Sequence, residues 1–142
     1  MLTVMAAMTS LNAVAGEGEA SAPSLYDRLG AMDGITQIVT DTVALHHENS
    51  QISHFFDGVD DAKLIHHVAA FFAAGTGGPA NYEGRDMASA HASMSMTDAD
   101  FDSAVADVLK SCESNGIAVD AQSEVDAILE SLRPAVMGTA TE

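Results

Sequence analysis

The chain has 142 residues, a length that suits one domain, and its 47% hydrophobic content is enough for a core. Its formal net charge of −16 comes from 21 acidic residues against 5 basic ones, so no basic patch can be built. Binding to nucleic acid or to an anionic membrane surface is therefore excluded as a main function. The single cysteine, Cys112, rules out a disulfide within the chain.

The N-terminal segment is set apart from the fold. Residues 1–15 form an apolar run of small residues without lysine or arginine, and Ala13-Val14-Ala15 matches a signal-peptide cleavage pattern. Two interpretations stay open: a secretory signal without its basic start, or a disordered or weakly helical tail. The first places the protein in the periplasm and the second in the cytoplasm. Residues 16–23 predict a linker, so the domain is expected over residues 24–142.

Helical periodicity runs through the rest of the chain, and no segment alternates with period two over the length of a strand. A short helix is predicted over residues 24–30, and a second helix carries an apolar stripe that ends at His46. An apolar turn at residues 52–56 precedes a third helix, which begins at Asp60 or Asp61 and ends near Ala74. The sequence therefore predicts an all-α fold.

Glycine and capping residues divide the second half of the chain. Residues 75–79 predict a flexible hinge, and they lack the Gly-Lys-Ser/Thr ending of a phosphate-binding loop. Thr97 and Asp100 form a capping box, with Asp in place of Glu, for a helix that ends at Gly116. A last helix begins at Asp120, and Pro134 is expected to end or kink it.

Two histidines fall on apolar helix faces. His91 shares its face with Met87, whereas His67 shares its face with Leu64, and the adjacent His66 points to the opposite side. Each inward histidine is open to two interpretations. One is a core imidazole bonded to a backbone carbonyl. The other is a metal ligand beside a planar apolar cofactor, for which haem is the candidate. No H-E-x-x-H spacing, C-x-x-C pair or catalytic-triad motif points to other chemistry.

Several short sequence segments are weak signals one by one, but their common order and spacing are specific for one family. The segments are Leu25-Tyr26-Asp27-Arg28-Leu29-Gly30, Phe55-Phe56-Asp57-Gly58-Val59-Asp60, Ala69-Ala70-Phe71-Phe72, Gly77-Gly78-Pro79, Tyr82-x-Gly84-Arg85-x-Met87, Ala90-His91 and Met96-Thr97-Asp98-x-x-Phe101. On these pieces the chain, from about Ser24 to Met137, resembles the group I truncated haemoglobins. That family has a compact globin fold in which two helices pack over two around haem.

The resemblance implies a haem b cofactor with His91 as the proximal iron ligand. Lys63 and Arg85 border the implied pocket, where a haem propionate would need a cation or a donor; the alternative for both is solvated surface. The other residues implied to contact the cofactor are Phe56, Leu64, Val68, Phe71, Phe72, Tyr82, Met87, Met96 and Phe101.

The chain departs from the family pattern on the distal side. Where the family usually has a tyrosine and a glutamine that donate to bound oxygen, this chain has Val43 and Val68. The loss of both donors from a low-dielectric pocket argues against tight oxygen storage. Cyanobacterial and algal relatives use a histidine at the position of His67 as a sixth ligand. The resemblance therefore implies iron held between His91 and His67, with His67 leaving when a gas binds; the alternative is that His67 faces solvent and pairs with a propionate.

The resemblance leaves several functions to compare. The first is reversible binding of O₂, CO or NO by a monomer or weak dimer that an unknown reductase serves. The second is an enzyme that detoxifies nitric oxide or peroxide. Apolar Val43 and Val68 count against it, although His67 could act, which leaves nitric oxide dioxygenase or peroxidase chemistry as a side activity at most. The third is electron transfer through a bis-histidine haem, and the fourth is a helical interaction domain without haem. No histidine follows His91, so a covalent haem link from the last helix is not available.

Overall fold

The computed structural model describes residues 22–79, 82 and 84–138, and over these ranges the chain forms six α-helices and no strand. A 3-10 turn, Ser53–Phe56, lies between the second and third helices. The helices are α1 (Leu25–Arg28), α2 (Ala31–Glu48), α3 (Asp61–Gly75), α4 (Met87–His91), α5 (Asp98–Ser114) and α6 (Val119–Met137). The all-α prediction is confirmed for this part of the chain, whereas the signal-or-tail interpretation of residues 1–15 lies outside it.

The four long helices form two packed pairs. Helix α2 packs against α3 and α5, α5 packs against α6, and the short α4 lies on α6. This is the two-over-two sandwich that the resemblance implies. Within the described ranges, no helix is both long and apolar enough to cross a bilayer. The buried core between the pairs includes Ile35, Ile38, Val39, Val43, Ala69, Ala73, Val108, Cys112, Ala121 and Val125.

Local hydrogen bonds set the beginnings of two long helices. The Thr97 hydroxyl accepts the Asp100 N–H at 3.1 Å, and the Asp100 carboxylate accepts the Thr97 N–H at 3.0 Å. This reciprocal pair is the predicted capping box at the start of α5. The Asp60 carboxylate accepts the Lys63 N–H at 3.2 Å, so Asp60 rather than Asp61 caps α3.

Helix α6 does not end at the position expected from Pro134. It continues through Pro134 to Met137, and the Gly138 N–H donates to the Ala135 carbonyl at 3.3 Å. A proline removes one helical hydrogen bond, but a helix packed against α4 and α5 can absorb that loss less than one turn from its end. The expectation that Pro134 ends the helix near Arg133 is therefore wrong, whereas its alternative, a kink at Pro134, stays a prediction.

The glycine-rich stretch after α3 is packed against α1. The Tyr26 N–H donates to the Thr76 carbonyl at 2.9 Å, and the Gly78 N–H donates to the Ala73 carbonyl at 2.8 Å. A Cβ on Gly78 would approach the Tyr26 ring to 2.4 Å, so a side chain does not fit at this position. The stretch predicted as a hinge thus joins the end of α3 to α1.

Candidate functional site

A cavity of about 200 Å³ lies between the helix pairs. One water molecule needs only about 10–15 Å³ by a comparable measure, so this space is of ligand size. Its wall is apolar except for two imidazoles and one threonine hydroxyl, which the Ile38 carbonyl satisfies at 2.8 Å. The lining residues are Ile38, Val39, Thr42, Val43, His46, Ile52, Phe55, Phe56, Leu64, Val68, Phe72, His91, Met94, Met96, Ala104 and Val108.

His91 is the first of the two imidazoles and stands at the end of α4. The Asp86 carboxylate begins that helix by accepting the Ser89 N–H at 2.7 Å. Nδ1 of His91 lies 2.9 Å from the Met87 carbonyl oxygen. A carbonyl oxygen only accepts, so Nδ1 carries the proton and Nε2 keeps its lone pair. A half-buried imidazole oriented in this way is the usual form of a histidine metal ligand.

His46 is the second imidazole and comes from the last turn of α2. Its Nδ1 lies 2.8 Å from Oδ2 of Asp107 on α5, and its ring stacks on Phe56 with centroids 5.1 Å apart. The Asn49 amide donates to the same carboxylate oxygen at 3.0 Å. Burial lowers the pKa of His46 more than the hydrogen bond to Asp107 raises it. The imidazole is therefore neutral near pH 7.

His46 is the residue that the sequence reasoning left without a role. The apolar stripe of α2 includes His46, because Val39 and Val43 precede it at helical spacing. That stripe was the sequence signal that could have placed His46 in the cavity wall. Its partner Asp107 lies 61 residues away, so no local pattern could pair the two side chains.

The structure brings about half of the predicted site residues together. Val43, whose position the family usually gives to a polar donor, lines the same cavity. The predicted residues that share this wall are Phe56, Leu64, Val68, Phe72, His91 and Met96.

The remaining predicted residues are absent from the cavity wall as the described residues form it. His67 is half-buried on α3, and its ring lies 5.7 Å from that of His66. Lys63 is exposed. Arg85 is also exposed, and its guanidinium donates to the Ser89 carbonyl at 3.5 Å.

The outlying aromatic residues make contacts of their own. Tyr82 meets Phe71 edge to face with centroids 5.2 Å apart, and its hydroxyl donates to the Arg85 carbonyl at 2.6 Å. Phe101 is buried, and the Arg133 guanidinium lies 4.4 Å above its ring. Phe101 therefore joins α5 to α6. Met87 is half-buried and supplies the carbonyl that orients His91.

The donor set of the cavity fits a cofactor that brings most of its own metal ligands. Over the part of the chain that the structure describes, no three His, Cys, Asp or Glu side chains are grouped to hold a bare metal ion. A haem iron needs only one or two axial protein ligands. The cavity offers His91 with a free lone pair and an apolar wall of Phe, Met, Leu and Val side chains for a flat ring.

Comparisons with known proteins agree with this geometry. Residues 24–138 match the profile of a family described as bacterial-like globins. A group 1 truncated haemoglobin of Synechocystis sp. is 30% identical over 109 residues, which span 74% of this chain and 88% of that protein. The ferric truncated haemoglobin of Tetrahymena pyriformis has the same fold, with a TM-score of 0.78 and 21% identity over 81% of this chain and 98% of that one. A Synechococcus 2/2 haemoglobin, solved in the cyanomet state with covalently attached haem, has a TM-score of 0.76 and 24% identity over 82% and 99% of the two chains.

Proposed function

We propose a function from one premise: this chain belongs to the bacterial-like globin family and is a group 1 truncated haemoglobin. The cofactor of that family is haem. We infer that the chain holds haem b in the cavity and binds the diatomic gases O₂, CO and NO reversibly. The observation that carries this proposal is the orientation of His91. Its Nδ1–H is bonded to the Met87 carbonyl at 2.9 Å, which leaves Nε2 to bind the iron.

The residues of the wall have distinct tasks in this proposal. Phe56, Leu64, Phe72 and Met96 pack on the ring and exclude water from it. The haem iron supplies the position that a gas occupies.

Val43 and Val68 lie where the family usually has hydrogen-bond donors. Because both side chains are apolar and line the cavity, they leave a polar ligand such as O₂ without a stabilising donor. The chain then binds O₂ reversibly but releases it fast.

The finer assignments extend the same proposal. His67 is the sixth ligand at rest and leaves when a gas binds, for which its ring must turn from its place beside His66 into the cavity. Lys63 and Arg85, both exposed, serve the haem propionates. The remaining cofactor contacts are Phe71, Tyr82, Met87 and Phe101.

Absorption spectra of the haem-reconstituted protein test the proposal. Ferric, dithionite-reduced and CO-bound samples should all show haem bands, and CO should replace any sixth ligand. Sharp split bands in the reduced protein indicate two axial histidines, whereas a single broad band indicates one. The absence of haem bands after reconstitution would contradict the proposed function.

Histidine variants identify the sixth ligand. His67→Leu should convert a six-coordinate reduced spectrum into a five-coordinate one. His66 is a neighbouring exposed histidine, so His66→Leu should not change the spectrum. His46→Leu belongs in the same series because His46 lines the cavity. A change in His46→Leu with none in His67→Leu would overturn the assignment of His67.

A further inference from the structure

The His46–Asp107 pair gives the cavity a polar group that the proposed function does not use. His46 follows Val43 by one helical turn on α2, and both side chains line the cavity together with Val68. The side chains of His46 and Asp107 are only 12% and 14% exposed. Such a pair is costly to bury. His46 brings one end of this pair into a wall that is mostly apolar, so the pair calls for a chemical role.

The hydrogen bonds of the His46–Asp107 pair determine whether His46 offers a donor or an acceptor to a ligand in the cavity. A carboxylate only accepts, so Nδ1 of His46 carries the proton that it shares with Asp107 at 2.8 Å. Nε2 of the neutral ring then has a lone pair, and no hydrogen bond to it occurs among the described residues. His46 is thus an acceptor. Bound O₂ needs a donor, whereas an acceptor suits a ligand that arrives with a proton to give up.

We propose that His46, held by Asp107, takes the proton from small weak acids H–X that enter the cavity, such as hydrogen cyanide, hydrogen sulfide or hydrogen peroxide. The proposal rests on the proposed function, because the anion X⁻ is the species that ferric haem iron binds. The H–X bond breaks with its electron pair left on X, and the proton moves to Nε2 of His46. Nothing is oxidised or reduced in this step.

Burial favours the neutral ring, and two negative charges beside His46 oppose that preference once X⁻ has formed. The imidazolium formed lies beside the Asp107 carboxylate, which Asn49 holds in place through an amide that also donates to the Ser103 hydroxyl at 2.8 Å. X⁻ in the same apolar cavity adds a second negative charge close to the imidazolium.

The other groups around His46 are few. His47, its neighbour on α2, disfavours the added proton when it is charged, but His47 is itself bonded to Asp61 of α3 at 2.9 Å. The 3-10 turn presents the uncharged ring of Phe56. Among the charged groups, the Asp107 carboxylate of α5 therefore has the largest effect on whether the imidazolium persists.

Proton counting on the ferric haem protein tests the proposal, with hydrogen cyanide as the probe. In weakly buffered solution with an indicator dye, at a pH where the acid is almost wholly protonated, wild type should release almost no proton as cyanide binds. His67, which leaves the iron in the proposed function, can take up this proton as well, so both proteins in the comparison carry His67→Leu. Adding His46→Leu to that background should cause the release of close to one proton per ligand. In the same background the association rate should fall by roughly 100-fold, the lower end of what a general base contributes.

Three controls isolate the role of the pair. His66→Leu removes an exposed histidine and should match wild type. Asp107→Asn keeps an acceptor beside the ring but removes the charge, and it should release a proton like His46→Leu. CO carries no proton, so its association with the reduced protein should change far less in His46→Leu and Asp107→Asn than the association of hydrogen cyanide does.

The possible outcomes separate this inference from the proposed function. Normal haem spectra together with equal proton release with and without His46→Leu would overturn the role of His46 and leave the globin function intact. A chain without haem bands would overturn the function itself. If His46→Leu does not fold, His46→Gln takes its place in the test. The glutamine amide still donates a hydrogen bond to Asp107 but cannot take up the proton.

A nitrogen NMR spectrum of the reduced CO-bound protein gives a readout that does not depend on binding an acid. It should show His46 neutral and protonated at Nδ1. A His46 ring protonated at Nε2 alone would contradict the proposal.

Discussion

Replacing Val68 with glutamine should make this protein hold O₂ more tightly. Val68 lines the cavity on α3, at a position where the family usually has a glutamine, so the longer side chain suits the fold. A hydrogen bond to a strongly polar ligand contributes about 1.5–3 kcal/mol, and fixing the glutamine rotamer costs about 0.5–1.5 kcal/mol. The middle of each range leaves a net gain of about 1 kcal/mol, which corresponds to O₂ release that is roughly 5- to 10-fold slower.

Stopped-flow displacement of O₂ by CO measures this release rate. Release of CO, which is a less polar ligand, should change much less than release of O₂. Ala74→Gln places the same side chain at an exposed position on the same helix and should leave both rates unchanged. Unchanged O₂ release in Val68→Gln would refute the argument that missing donors limit oxygen retention.

Three further predictions concern stability and are measured by urea unfolding. Ile35 is 1% exposed in the core, so Ile35→Ala should lower the free energy of unfolding by about 2–5 kcal/mol; a loss below about 1 kcal/mol would contradict the packing described. Ala31 has a φ of +58°, which strains an L-residue, so Ala31→Gly should stabilise the protein by about 0.5–1 kcal/mol, and a destabilised variant would contradict this strain. The folded state lowers the pKa of His46 below 6.5, so the unfolded chain binds more protons than the folded chain as the pH drops below 6.5, and the free energy of unfolding should fall. His46→Leu should lose less of its free energy of unfolding over the same pH range. An equal loss in both proteins would refute the lowered pKa of His46.

Local signals were enough to predict the helices apart from the ends of α6, which begins at Val119 rather than at Asp120 and continues past Pro134. The start of α5 follows from Thr97 and Asp100, which bond to each other within one turn, and the apolar period of Phe101 and Val105 sets its buried face. Pro134 was misleading because the end of α6 depends on packing against other helices. Proline geometry alone does not include that packing.

The site was predictable where its residues share one local pattern. The apolar face shared with Met87 singled out His91, which lines the cavity, whereas its role as an iron ligand rests on the resemblance to the family and stays a prediction. His46 could not be assigned, because its role depends on Asp107 of another helix. The predictions for His67 concern a half-buried side chain, whose direction the periodicity of α3 does not fix.

The central claim is that His91 binds the haem iron through Nε2. The most direct test is His91→Gly reconstituted with haem, with spectra recorded before and after imidazole is added. The variant should lose the spectrum of the histidine-ligated reduced protein, and free imidazole should restore it by occupying the space that the side chain leaves. A His91→Gly spectrum identical to that of wild type without imidazole would contradict the account.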